Sequence, residues 1–176
     1  KRMMAAAGIP TAAWLAGSEA AGSQSAGGGL AFPPPYIVKS LWEHASVGME
    51  DSAVAADAAA LRAELSRRAG REGLDGLFAE AYIEGREFNI ALLGGCTGGR
   101  AGGVQVLPAA EMQFIDYPEG KPRVVGYRAK WVEGSFESAS TVPLKALGLI
   151  GRRTTIRVLY GKPQSRMVAV ARPIPL

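Results

Sequence analysis

The spacing of apolar residues along this chain changes several times, and each change marks an element. Arg2 to Ala7 reads as the end of a helix, stopped by Gly8 as its C-terminal cap and by Pro10 two residues later. Ala16 to Gly29 is rich in Gly, Ala and Ser, and its apolar content is almost all alanine. That is too little to offset ordering entropy, so the stretch is expected to be a flexible surface insertion. After the stop at Pro33-Pro34-Pro35, the β-branched and aromatic run Tyr36-Ile37-Val38 predicts a buried strand that delivers Lys39 at its end.

Asp57 is placed to accept free N–H groups at a helix start, Leu61 and Leu65 then share one face, and Gly70 is the expected stop. Leu77 to Ile83 reads as a strand and linker, followed by a turn at Glu84-Gly85. Phe88, Ile90 and Leu92 alternate with Asn89, Ala91 and Leu93, whose modest polarity predicts a strand buried on both sides. Gly94 to Gly103 reads as a hairpin loop and Val104 to Leu107 as the returning strand. Glu111 to Asp116 alternates again, Pro118 to Lys121 turns, and Arg123 to Tyr127 leads to Lys130 as a strand-end lysine. Strands joined by hairpins, with a few helices beside them, place the chain in the α+β class.

At 176 residues and 48% hydrophobic, the chain can bury one sizeable core or two small ones. Its net charge of +4 belongs to the tail. Residues 1–140 hold 13 Lys+Arg against all 16 Asp+Glu, whereas 141–176 holds seven basic residues and no acid. The single cysteine, Cys96, excludes an internal disulfide framework and suits a reducing, cytoplasmic compartment. One histidine, His44, leaves zinc sites and nucleophile–His triads without their parts unless another chain contributes. Gly8-Ile9-Pro10 interrupts the alanine run too early for a signal peptide, and no run approaches the ~18 apolar residues of a membrane span. The lack of an initiator methionine suggests a start inside a longer protein.

The candidate chemistry centres on Lys39 to Gly48. A lysine on a rigid strand, followed by a loop of small residues ending Ser46-Val47-Gly48, suits polyphosphate: the ammonium neutralises charge while loop N–H groups point inward. Arg62, Arg67, Arg68 and Arg71 are interleaved with Glu64 and Glu72, and no aromatic offers stacking, so a solvated helix face is expected there and not a nucleic-acid patch.

Four stretches, in order, resemble the ATP-grasp ligases, within them the D-alanine-D-alanine ligase branch. They are Met4 to Thr11, Lys39 to Gly48, Phe78 to Gly94 (FAEAYIEGREFNIALLG) and Gly120 to Trp131 (GKPRVVGYRAKW), so the resemblance runs from Lys1 to about Ser140. It implies a partial ATP-grasp fold of two subdomains with a nucleotide cleft between them. Residues 1–88 match the central subdomain without its N-terminal portion, 89–140 the start of the C-terminal subdomain, and 141–176 is an atypical basic tail.

The same resemblance implies roles. Lys39 matches the lysine that contacts adenine and the α-phosphate, and the loop with Ser46, Val47 and Gly48 closes over the outer phosphates. Glu80 matches the acceptor of the adenine amino group, Ala81 and Ile83 the linker whose backbone pairs with the adenine edge, and Glu87 the acid that binds the ribose hydroxyls. Lys130 matches the catalytic lysine that reaches the γ-phosphate. The implied activity is that of an ATP-dependent carboxylate–amine ligase with ATP and magnesium. Its substrates would be a small carboxylic acid and an amine, such as D-alanine or another amino acid.

The chain departs from the branch at Ala45, where the family has serine, and at Trp131, where it has tyrosine. Beyond Glu137 no Asp or Glu occurs, so the tail cannot supply the carboxylates of a magnesium site. A shifted reading frame would account for this. Thr154-Thr155-Ile156-Arg157 is what the family's Asp-Asp-Tyr-Thr-Arg strand becomes when read one base later. Two other readings stay open: an inactive ATP-grasp fragment lacking the magnesium site, and a binding module whose basic tail contacts nucleic acid. The tail carries no RNA- or DNA-binding motif, which weakens the second.

Overall fold

The computed structural model describes residues 1–23, 30–94, 104–145 and 168–169. The string Thr154 to Arg157, Cys96 and nearly all of the Gly94 to Gly103 loop lie outside the described residues. Helices and antiparallel sheets alternate, in keeping with the α+β class. Among the described residues no helix is long and apolar enough to cross a membrane.

The chain opens with α1 (Arg2–Ala6), ended by Gly8 at φ +66°, and continues through β1 (Trp14–Ala16) into α2 (Gly17–Gly22). β2 (Tyr36–Ser40), β3 (Val54–Ala55), α3 (Ala58–Glu72) and β4 (Leu77–Ala81) follow. The first sheet has the order β1-β4-β2-β3, all antiparallel. Tyr36 and Val38 of β2 and Leu77 and Ala79 of β4 turn one face toward Leu61 and Leu65 of α3 and Ala20 of α2, forming the core. Strand period places Ile37, Lys39, Phe78 and Glu80 on the opposite face.

Two expectations for this half are corrected. The low-complexity stretch is not all loose insertion: Gly17–Gly22 is helical, with Gly17 and Ala20 buried, while 24–29 lie outside the described residues. Small residues serve close approach here, since a Cβ on Gly17 would lie 2.3 Å from the Leu74 carbonyl oxygen. The Glu19 carboxylate also fixes the helix start by accepting the Ala16 N–H at 2.9 Å. Nor does α3 stop at Gly70. Asp57 caps its start, accepting the Ala60 N–H at 2.8 Å, but the helix runs to Glu72 and ends at Gly73, φ +70°. Its last turn is held by ion pairs from Arg68 and Arg71 to Glu72.

The second half contains β5 (Glu87–Asn89), β6 (Leu92–Gly94), β7 (Val104–Val106) and β8 (Ala110–Phe114). Then come α4 (Tyr127–Trp131), α5 (Phe136–Ser140), β9 (Thr141–Lys145) and β10 (Val168–Ala169). The second sheet is ordered β10-β5-β8-β9, and β6 and β7 form a separate ribbon. The Phe88 to Leu93 alternation is therefore two short strands and not one. None of Phe88, Asn89, Ile90 and Leu92 is fully buried, and Leu93 is exposed. The turn between the two large sheets falls at 82–86, so Glu87 and Phe88 pair within the second sheet. Thr141–Lys145 also joins that sheet, against β8. Lys130 lies on a short helix, not at a strand end.

Candidate functional site

The solvent-side face of the first sheet starts the site. Lys39 and Glu80 are diagonal neighbours across the β2–β4 pair, because Lys39 sits opposite Phe78 and Ile37 opposite Glu80. The Lys39 ammonium pairs with one Glu80 oxygen, and Lys1 Nζ reaches the other at 2.5 Å. Lys1 also donates to Thr11 Oγ1 at 2.9 Å and to the Ala12 carbonyl at 3.2 Å. Glu80 is nearly buried, so two cations offset the cost of enclosing its charge.

The loop after β2 is shaped by backbone. Ala45 and Ser46 take left-handed φ of 58° and 66°, and Gly48 takes 71°. The first two cost roughly 1–2 kcal/mol each in a residue with a Cβ. Contacts from the second half hold the loop in this conformation. Ser46 Oγ donates to the Val125 carbonyl at 2.7 Å and accepts from Lys130 Nζ at 2.7 Å. Trp131 Nε1 donates to the Ala45 carbonyl at 2.8 Å, and the Tyr127 N–H to the Met49 carbonyl at 3.0 Å. Inside the loop, the Val47 N–H donates to the His44 carbonyl at 3.2 Å.

Glu87 brings the second sheet into the same place. Burial pushes its carboxyl above the usual range, against the pull of Lys130, then Lys39, and of a hydrogen bond from the Val125 backbone. Both lysines thus act on one half-buried acid. Direct contacts join Lys39 to Glu80 and Lys130 to Ser46, and Glu87 feels the charge of both lysines; Lys130 is exposed. Ala81, expected in the linker, is the last residue of β4 and pairs with Tyr36, while Ile83 lies in the linker. The Ala81 N–H is already donated to the Ala13 carbonyl at 2.9 Å, and Ile83 is half-buried. Tyr82 between them ties the linker to the second half, its hydroxyl lying 3.1 Å from both the nitrogen and the carbonyl oxygen of Arg123.

Chemically the arrangement is an open cationic face, three ammonium groups against two carboxylates, beside a loop of preset backbone. Lys39, Lys130 and the hydroxyl of Ser46 are donors that an anion could use, and Glu87 is an acceptor close to their charge. The donor set does not fit magnesium as well. Among the described residues no group of three or more His, Cys, Asp or Glu side chains is placed to hold a metal.

Lys1, the contact between Ala45 and Trp131, and Arg68 escape sequence reasoning. Lys1 gives no local signal, since its partner is 79 residues away. Trp131 and Ala45, two separate departures from the ligase pattern, turn out to touch one another. Arg68, expected on a solvated face, is buried together with Glu64. Its signal was in the period: Leu61, Leu65 and Arg68 fall at i, i+4 and i+7, on the face that packs inward. No family model matches the chain, and no curated protein matches it.

Proposed function

We propose that this chain is the nucleotide-binding part of an ATP-grasp ligase of the D-alanine-D-alanine ligase type. The observation that supports the reading is the Lys130–Ser46 hydrogen bond, which joins two of the matching stretches, with Glu87 of a third stretch under the charge of both Lys130 and Lys39. In this reading Lys39 lies along the α-phosphate and adenine, Glu80 accepts from the adenine amino group, and Glu87 accepts from the ribose hydroxyls. The Ser46-Val47-Gly48 loop covers the outer phosphates, and Lys130 stabilises charge on the γ-phosphoryl group in flight. That group passes to a substrate carboxylate, giving an acyl phosphate and ADP. An amine then attacks the carbonyl and expels phosphate to leave an amide. Magnesium would neutralise the phosphates, and no residue is assigned to it.

Calorimetric titration of the chain with ATP tests this. Lys130→Ala is expected to weaken ATP by about tenfold, equivalent to about 1.4 kcal/mol, with adenosine affinity little changed. No binding of ATP by the unmodified chain, or equal binding by both, overturns the reading.

A further inference from the structure

Arg68 is 2% exposed, packed among the side chains of α3 that face the core. A cation in that position is costly unless each donor finds an acceptor. Nε and Nη2 each reach the Glu72 carboxylate at 3.1 Å. Nη1 donates to two backbone carbonyls, Val38 at 3.2 Å and Gly48 at 3.1 Å. Val38 precedes Lys39 on β2, and Gly48 ends the loop that carries Ser46. One guanidinium thus bridges the strand and the loop from behind.

The fit at Gly48 is close on the same side. A Cβ there would stand 2.9 Å from Arg68 Nη2, 3.0 Å from Cζ and 3.2 Å from Arg71 Nη2, and φ is +71°. Glycine is required both for its backbone conformation and for the room it leaves the guanidinium. Lysine could not replace the arginine, because a single ammonium cannot span acceptors held by a planar fork.

We infer that Arg68 is the positioning residue of the loop, fixing the spacing between Lys39 and Ser46 and thereby the grip on the outer phosphates of a nucleotide. This rests on the nucleotide reading above. Arg68 touches no phosphate itself; it acts through the two carbonyls.

The test uses the full chain, Arg68→Lys and Gly48→Ala, titrated with ATP and separately with adenosine. Amide exchange is followed at Val47 and Met49, whose N–H groups bond within the loop to His44 and Ser46. Both variants are expected to weaken ATP about tenfold and adenosine by less than about twofold, with faster exchange at Val47 and Met49. Equal weakening of both ligands, or unchanged ATP affinity, overturns the inference. Should Arg68→Lys fail to fold, Gly48→Ala strains the same contact from the loop side and decides the matter. If the unmodified chain binds neither ligand, the nucleotide reading falls and the phosphate role with it. The clamp is then judged by exchange alone, and unchanged exchange in Arg68→Lys overturns that as well.

Discussion

Replacing Glu137 by glutamine tests the junction that seats α4, and with it Lys130. Glu137 accepts from Lys121 Nζ at 2.8 Å and from Arg128 Nε at 3.0 Å, and Lys121 also reaches Asp51 at 2.5 Å. The hydrogen bond from Lys121, opposed by burial and helped by Arg128, lowers the Glu137 carboxyl from 4.5 to about 2. At about 1.4 kcal/mol per pH unit, that would be worth about 3 kcal/mol in a fully enclosed pair. Asp51 and Arg128 lie open to water, however, and exposed ion pairs are strongly screened. The discounted expectation is about 1 kcal/mol. Because the folded state holds this carboxyl below its unfolded value, the stabilisation is full above 4.5 and fades as pH falls toward 2. Urea denaturation of both proteins from about pH 7 to about pH 2 should show a gap of about 1 kcal/mol that closes on acidification. A gap that persists unchanged to the acid end would mean that glutamine disturbs packing, and would refute the electrostatic account.

Glu87→Gln should act in the opposite sense on stability. Burial raises the folded carboxyl above its unfolded value, so its contribution is lost as pH rises through the folded value, and a neutral isostere should stabilise the chain by about 0.5–1 kcal/mol near neutrality while weakening ATP. Parallel melting and titration measurements that show no gain in stability would count against this. Gly126→Ala would place a Cβ 2.6 Å from the Met49 carbonyl oxygen, so α4 must shift. Denaturation should record a loss of about 1–3 kcal/mol, and an unchanged midpoint would show that the neighbouring backbone yields freely.

The elements legible in the sequence were those whose chemistry is local. Gly8 and Asp57 announced helix ends, and the β-branched run at Tyr36 announced the strand beneath Lys39. The strands that carry Lys39 and Glu80 were each patterned, but only the β2–β4 pairing makes them neighbours in one sheet. The rest depended on partners distant in sequence. Whether Gly70 or Gly73 ends α3 was decided by Arg68 and Arg71 converging on Glu72, which propensity alone does not weigh. Gly17 and Ala20 looked like linker because their value lies in what they lack, a side chain between helix and strand. Tyr127 to Trp131 read as extended, yet its place is set by contacts to the 45–49 loop, and a five-residue helix satisfies them.

Those contacts also bear on the order of assembly. Ser46 and Val125, Lys130 and Ser46, and Trp131 and Ala45 lie 79, 84 and 86 residues apart in the chain. The first sheet closes over shorter distances and has its own apolar core, so it can form before residues 121–131 arrive. Closure of the long loop must precede any reward from the Ser46 and Trp131 bonds, which places them late on the folding route. Interactions absent from the rate-limiting step act mainly on the unfolding rate. When that seam of late bonds parts, α4 separates from Ala45 and Ser46, while Arg68 still ties Gly48 to Val38 and the core beneath stays folded.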